Sequence, residues 1–231
     1  MPEFKEFKDS STLVAVLAAQ VAELLRVGIK ERGRASLVVS GGSTPVPFFA
    51  ALSELALDWK QVTITLADER WVEPTDADSN ERLVRQHLLQ NLAASASFVG
   101  LKTEAATAVQ GEKECGDRLA VLPRPFDVLI LGMGNDGHTA SLFPQATRLG
   151  EALALDSGRL CMAITPPAAP HERMTLTLPG LLQSRRIILH LVGPGKRAVY
   201  EKALVKGPVT EMPIRAVLGQ ATSPVTVFWA P

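Results

Sequence analysis

Short apolar segments alternate with helix-length segments along this 231-residue chain. Apolar runs predict buried strands at 36–39, 62–66, 127–131, 160–164, 174–178, 187–192 and 225–229. Strands that are separated by helices favour parallel βαβ units with helices on both faces of the sheet. We therefore predict an α/β fold: a single domain over 1–231, with a doubly wound, mostly parallel, Rossmann-like sheet.

The helices are predicted from capping residues and from apolar spacing. Ser10 and Ser11 can cap a first helix that ends near Gly33. Asp78 with Glu81 resembles a capping pair for a helix that continues through 89. Further helices are predicted at 45–57, 112–122 and 196–205, and the signal between 93 and 111 is weak.

Composition excludes several classes of protein. The 24 basic and 24 acidic residues give a net charge of zero, which disfavours nucleic acid or an anionic membrane as the main partner. Cys115 and Cys161 are too few for a disulfide framework or a zinc site. The charged N-terminus lacks the apolar core of a signal peptide, and no uninterrupted apolar run reaches ~18 residues. We therefore expect a cytoplasmic protein.

A glycine-rich segment at 131–144 follows one of the predicted strands. Gly132, Gly134 and Gly137 allow the backbone to turn sharply and to approach a ligand closely. Asp136 and His138 are two residues apart, so both side chains can face one cleft. A carboxylate beside an imidazole fixes its tautomer and raises its basicity, which suits a general base near neutral pH.

The segment 131–144 resembles the signature of the 6-phosphogluconolactonases, which form one family with the glucosamine-6-phosphate deaminases. Other matching motifs occur in the same order, at 40–45, 67–72, 79–80, 171–177 and 193–197. The resemblance runs from about residue 36 to the C-terminus. It implies hydrolysis of 6-phosphogluconolactone in the oxidative pentose phosphate pathway, with His138 as the base on water and Asp136 orienting its ring.

The segment 40–45 is a candidate phosphate cradle, because small residues there lie between a strand and the start of a helix. The Gly-Lys-Ser/Thr ending of a P-loop is absent. The resemblance implies that Gly42, Ser43 and Thr44 bind the substrate at this loop. It implies the same for Gly134 and Asn135 in the glycine-rich segment.

Charged residues near strand ends complete the predicted site. Arg173 and Lys196 are expected to hold the phosphate, Arg as a planar fork and Lys as a point charge. The resemblance assigns substrate contacts to Asp68 and Arg70, with Arg70 either on the phosphate or on the lactone carbonyl. An alternative role for Asp68 is structural, namely to orient Arg70. For Glu69 a structural role is favoured.

No metal or cofactor is expected. The four histidines show no His-x-x-x-His or His-Glu-x-x-His spacing. His87 and His190 are interpreted as packing or surface residues, and His171 as structural or solvated. The expected partner is one small molecule, bound by a monomer or a small homo-oligomer.

Two rival functions remain open at this point. In a deaminase of the same family the motif continues after the histidine to an Asn-Glu-Pro ending that supplies a carboxylate, whereas 141–144 contains no acid. A sugar-phosphate sensor without turnover would keep the binding loops, and the intact Asp136 and His138 argue against it. The hydrolase is preferred over both.

Overall fold

The computed structural model describes residues 2–168 and 170–231. Its strands are β1 (Glu3–Glu6), β2 (Ala35–Val39), β3 (Val62–Leu66), β4 (Asp68–Arg70), β5 (Ser97–Val99), β6 (Val128–Leu131), β7 (Cys161–Ile164), β8 (Arg173–Leu176), β9 (Ile187–Val192) and β10 (Val225–Ala230). Its helices are α1 (Ser10–Arg32), α2 (Val46–Ser53), α3 (Asn80–His87), α4 (Ala108–Ala120), α5 (Leu149–Leu153), α6 (Leu178–Leu182), α7 (Pro194–Leu204) and α8 (Ile214–Leu218).

Seven strands form a parallel sheet in the order β1-β10-β9-β6-β2-β3-β5. Every residue of β2, β6 and β10 is buried. Since successive side chains point to opposite faces, both faces of the sheet are covered. The α/β fold with a mostly parallel sheet is confirmed.

The direction of winding reverses between β2 and β6. From β2 the chain builds outward through β3 and β5, and it then returns to add β6, β9 and β10 on the other side. Loops that follow two strands at such a switch point diverge and leave a crevice at the carboxyl ends of the strands. This topology places the loops after β2 and β6 on opposite sides of one crevice.

The structure also contains a second, antiparallel sheet in the order β4-β8-β7. The prediction of a single sheet was therefore wrong on this point. The segments 160–164 and 174–178 form strands close to the predicted positions, but they pair with each other and not in the parallel sheet. The reason is Ala67, which separates β3 from β4: its N–H donates to the carbonyl of Val39 and its carbonyl accepts from Leu176. β4 thereby leaves the first sheet and pairs Arg70 with Arg173.

Two predicted caps were wrong by one or two residues. Asp9, not Ser10 or Ser11, caps α1, because its carboxylate accepts the N–H of Thr12 at 2.7 Å. At α3 the cap is Ser79, whose hydroxyl accepts the N–H of Arg82 at 3.1 Å. The other helices differ at their ends: α2 stops at Ser53, and α4 begins at a Thr107 capping box.

Helix α1 lies in the protein core. An 18-residue window of it has a mean hydropathy of 1.7, so length and composition alone would allow a membrane span. Its fully buried side chains, among them Leu13, Leu17, Val21 and Leu25, recur at helical spacing. They belong to the same hydrophobic cluster as β2, β6 and β10. Core helices of this kind pass the same composition test.

Candidate active site

A cavity of about 440 Å³ lies at the carboxyl ends of β2, β6 and β9, with β4 and β8 beside it. Pockets at this edge of an open parallel sheet are where ligands bind. The cavity collects most of the predicted site residues. Its lining comprises 40–45, 130–134 and 190–192, with Asp68, Arg70, Asn80, His138, Ala140, Phe143, Arg173 and Lys196.

Asp136 and His138 form a hydrogen-bonded pair at the cavity. The Nδ1 atom of His138 lies 2.6 Å from Oδ1 of Asp136, and the same oxygen accepts the backbone N–H of His138 at 3.1 Å. Burial raises the pKa of Asp136, but these bonds and the charge of His138 outweigh it, so the pKa lies below its ordinary value. Asp136 is thus an anionic acceptor that places the proton on Nδ1 and leaves Nε2 as the basic atom.

The glycine turn makes this pair sterically feasible. A side chain at Gly134 would put its Cβ 2.1 Å from Nδ1 of His138, so only glycine lets the ring lie against the backbone. Gly137 has a φ of +80°, and its carbonyl accepts the N–H of Ile214 at 2.9 Å. The turn is therefore held by α8 as well as by its own bonds.

Some backbone amides of the glycine turn form hydrogen bonds within the turn. The N–H of Gly134 donates to the carbonyl of His138 at 2.8 Å, and that of Gly137 donates to Gly134 at 3.1 Å. Neither of these amides can also serve an oxyanion. Among the described residues, the amides of Gly132, Met133 and Asn135 have no acceptor, so they remain as donors that this turn can offer.

Arg173 is an under-compensated cation in the cavity wall. Its side chain is 6% exposed, Nη2 donates to the carbonyl of Pro170 at 3.0 Å, and Nε has no hydrogen-bond partner among the described residues. Burial is the main cause that lowers the pKa of Arg173, and the positive charge of Arg70 is the second. The negative charges of Asp68 and Glu69 act in the opposite direction but do not outweigh them. A buried guanidinium next to a second one is favourable only with an anion nearby. This arrangement predicts an anionic ligand at Arg173.

Asp68 and Arg70 line the same wall but are bound differently. Oδ2 of Asp68 accepts the hydroxyl of Ser141 at 2.6 Å, which ties β4 to the glycine-rich segment. Arg70 donates from Nη1 to the carbonyl of Asp78. Both side chains therefore have structural bonds and, at the same time, a surface toward the cavity.

Glu69 binds the N-terminus of α3, together with the cap residue Ser79, and does not line the cavity. Its carboxylate accepts the hydroxyl of Ser79 and the N–H groups of Arg70, Asn80 and Glu81, at 2.7 to 3.1 Å. Burial raises the pKa of Glu69 to about 7, against the lowering effect of these backbone bonds. The geometry favours the structural role that the sequence suggested for this residue.

The loop 40–45 leads into α2 and lines the cavity. Gly42 has a φ of +94°, a conformation that suits glycine, and Ser43 and Thr44 are exposed at the cavity. A Cβ at Gly41 would lie 1.8 Å from Oδ1 of Asn80, so the close packing of these two residues sets the position of the loop. Asn80 also donates to the carbonyl of Asp68 at 2.9 Å. Asn80 is thus a cavity residue to which no role was assigned from the sequence.

Lys196 lies across the cavity from β4 and β8, against the glycine turn. Its Nζ donates to the carbonyl of Met133 at 2.8 Å and to Oδ1 of Asn135 at 2.7 Å. Asn135 itself is exposed and does not line the cavity, so its contact with Lys196 is what links it to the site. The ammonium is therefore held at one place, with donor capacity left for a ligand.

His190 lies in the cavity wall within β9, 3% exposed, and its ring meets Phe48 edge to face at 6.3 Å between centroids. Neither ring nitrogen has a hydrogen-bond partner among the described residues. Burial lowers the pKa of His190 to about 4, so the ring is neutral at neutral pH. The sequence interpretation of a packing residue fits this environment, but the position in the cavity wall gave no signal in the sequence.

The low pKa of His190 makes stability depend on pH. The unfolded chain binds a proton below the ordinary value of 6.5, whereas the folded ring does so only near 4. Between these values acidification favours the unfolded state, and up to about 3 kcal/mol of unfolding free energy is lost. In urea unfolding from pH 7.5 to 4.5, we expect the parent protein to lose more stability than His190→Leu does. Parallel curves for the two proteins would contradict the assignment.

Within residues 2–168 and 170–231 no group of three or more His, Cys, Asp or Glu side chains is arranged to hold a metal ion. His171 instead pairs with Asp78 at 3.1 Å on the rim, and its φ is +69°. Arg197 is half-buried and contacts Glu6, Glu201 and the Trp229 ring. These residues therefore have structural partners outside the cavity.

The family model for glucosamine-6-phosphate isomerases/6-phosphogluconolactonase matches residues 8–229. The chain belongs to this family. It is 46% identical over 226 residues to the 6-phosphogluconolactonase of Pseudomonas putida, covering 98% of this chain and 92% of that protein. The resemblance that the motifs indicated is thus confirmed.

Solved structures of family members superpose on nearly the whole chain. A 6-phosphogluconolactonase from Shewanella baltica has a TM-score of 0.98 and 52% identity, covering 100% of this chain and 98% of that one. A monomeric glucosamine-6-phosphate deaminase, 20% identical, has a TM-score of 0.81 with 99% and 97% coverage. The second likeness, at 20% identity, shows the fold alone.

Proposed function

We propose that this protein hydrolyses 6-phosphoglucono-1,5-lactone to 6-phosphogluconate, the step that its resemblance places in the oxidative pentose phosphate pathway. One observation carries the proposal: His138, which is bonded to Asp136, and the under-compensated Arg173 line a single cavity. A base and an anion site in one pocket suit a lactone that carries a phosphate. Relatives at 46% and 52% identity are named 6-phosphogluconolactonases, which supports the same choice.

His138 acts as the general base in this proposal. With Nδ1 bound to Asp136, Nε2 takes a proton from a water molecule as that water attacks the C1 carbonyl. Asp136 holds the ring in this tautomer and stabilises the imidazolium that forms. The geometry needs no covalent enzyme intermediate, because water is the nucleophile.

The tetrahedral intermediate collapses by breaking the bond between C1 and the ring oxygen. His138 returns its proton to that oxygen, and the product is a carboxylic acid with a free C5 hydroxyl. The oxyanion on C1 needs a donor while it exists. The remaining amides of the glycine turn, at Gly132, Met133 and Asn135, are the candidates for this donor.

The phosphate is placed between Arg173, the loop 40–45 and the N-terminus of α2. Ser43 and Thr44 supply exposed hydroxyls there, and Arg173 supplies the buried charge. Lys196 contributes from the side of the glycine turn, where Met133 and Asn135 hold its ammonium. Binding energy from this remote group orients the lactone carbonyl at His138.

The hydrolase and the deaminase of this family can be separated by one assay. Ser141-Leu142-Phe143-Pro144 contains no acid, so the ring-opening carboxylate that a deaminase has at this point is missing. We expect rapid formation of 6-phosphogluconate from fresh 6-phosphogluconolactone, measured above a buffer blank because the lactone also hydrolyses spontaneously. Ammonia release from glucosamine 6-phosphate without lactone hydrolysis would favour the deaminase. Binding of 6-phosphogluconate with a lactone rate equal to the blank would indicate a sensor.

Metal-independent catalysis is a further part of the proposal. The chemistry described above needs a base, an oxyanion donor and an anion site, and each is supplied by a side chain or an amide. Prolonged dialysis against a chelator should therefore leave kcat unchanged. The proposal is wrong on this point if activity is lost and then returns on addition of one specific divalent ion.

We also place the protein in the cytoplasm, acting alone or as a small homo-oligomer on one small-molecule substrate. Cys115 and Cys161 are both buried and free, which suits a reducing compartment. The balanced charge of the chain offers no general attraction to nucleic acid or to an anionic membrane.

A further inference from the structure

Phe143 contacts both of the side chains on which the proposed chemistry depends. Its ring centroid is 4.3 Å from that of His138, with the planes tilted by 37°. The guanidinium carbon of Arg173 lies 5.9 Å from the same ring. Phe143 is half-buried and lines the cavity, so one aromatic side chain contacts both the base and the anion-binding cation.

The backbone before Phe143 is held by several bonds. Ala140 has a φ of +47°, and Leu142 donates to the carbonyl of Thr139 at 3.0 Å, which closes a tight turn after His138. Ser141 is fully buried and bonded to Asp68 through its hydroxyl and to Thr175 through its N–H. The turn returns Phe143 to the side of His138, and the buried anchors fix the ring there.

Neither neighbour of Phe143 is fixed by hydrogen bonds alone. The ring of His138 is tied to the protein at Nδ1 by Asp136, a bond about which the imidazole can still tilt. The side chain of Arg173 has its bond to Pro170, and its Nε has no hydrogen-bond partner among the described residues. Contact with an aromatic face restricts the tilt of an imidazole and partly offsets the desolvation of a guanidinium.

We propose that Phe143 is a positioning residue that orients the His138 imidazole and the Arg173 guanidinium together, so that one ring sets the geometry between base and phosphate. This inference rests on the proposed lactone hydrolysis. Phe143 does not itself take part in proton transfer. Its effect should therefore depend on the presence of the two side chains that it positions.

Two substitutions test the role of the ring. Phe143→Leu keeps an apolar side chain but removes the aromatic face, and we expect kcat to fall and KM to rise, each by about three- to tenfold. Phe143→Tyr keeps the ring and should remain within about twofold of the parent in both parameters. If Tyr is as damaging as Leu, the aromatic face is not what matters and the proposal is wrong.

Double-mutant cycles separate positioning from a general structural effect. In a His138→Ala background Phe143→Leu should lower kcat no further, and in an Arg173→Ala background it should raise KM no further. Multiplicative losses in both backgrounds would overturn the proposal. If the parent protein does not hydrolyse the lactone at all, the proposed function fails instead. If parent and His138→Ala behave as expected but Phe143→Leu is unaffected, only the positioning role fails.

A spectroscopic measurement tests the contact without relying on activity. A ring 4.3 Å away shifts the proton resonances of the His138 imidazole, which can be assigned by their absence in His138→Ala. We expect these resonances to move toward ordinary positions in Phe143→Leu and to stay in place in Phe143→Tyr. Parent resonances already at ordinary positions would contradict the contact, even if Phe143→Leu could not be obtained in folded form.

Discussion

Replacing His138 with Ala should lower kcat for 6-phosphogluconolactone by at least ~10²-fold, the scale of general-base assistance. The side chain is part-exposed at the cavity and bonded to Asp136 at 2.6 Å, so its loss removes the base and leaves the fold intact. KM should change little, because the phosphate contacts lie elsewhere in the cavity. The measurement is steady-state hydrolysis of fresh lactone above the buffer blank.

Two further variants make this result specific. Asp136→Asn should also lower kcat, because an amide holds the imidazole less firmly and no longer stabilises its cation. His87→Ala, in α3 and outside the cavity lining, is the matched control and should keep the activity of the parent. Near-normal turnover in His138→Ala would end its assignment as the base.

Local patterns predicted the parallel sheet well, because each of its central strands is an apolar run that is buried on both faces. The runs at 62–66 and 187–192 correspond to β3 and β9 residue for residue. β1 was not predicted, because three of the four residues in Glu3–Glu6 are charged and the segment becomes a strand only by pairing with β10 at the other end of the chain. The pattern also could not tell that β7 and β8 pair in a separate antiparallel sheet, since both kinds of sheet use similar residues.

The site was predictable where its geometry is local. Asp136 and His138 are neighbours in the chain, so their contact followed from the spacing. Asn80 and Phe143 could not be predicted, because packing against Gly41 and a tight turn at Ala140 bring them to the cavity. Asp68, Arg70, Arg173 and Lys196 were predicted as contacts by resemblance, and their roles toward a substrate stay predictions.

Replacing Arg173 with Ala should lower kcat/KM for the phosphorylated lactone by about ten- to a hundredfold, the scale of one or two hydrogen bonds to a charged group. Most of the change should be in KM, and kcat should fall as well if phosphate binding aligns the carbonyl with His138. Lys196→Ala should be less damaging, because a point charge fixes orientation less well than a planar fork. Arg197→Ala, on α7 and outside the cavity lining, is the matched control and should behave as the parent does.

Stability and a second substrate distinguish this role from a structural one. Arg173 is buried beside Arg70, and in the described part of the chain its Nε has no hydrogen-bond partner. Its removal therefore relieves a repulsion and should not lower Tm. Gluconolactone without a phosphate should be a poor substrate of the parent, and Arg173→Ala should barely change that residual rate. A buried cation that stabilised the fold instead would give the opposite pattern, a lower Tm and equal losses on both substrates. If the parent hydrolyses the two lactones equally well, the cavity holds no phosphate clamp, and Arg173, Lys196, Ser43 and Thr44 lose their assigned role together.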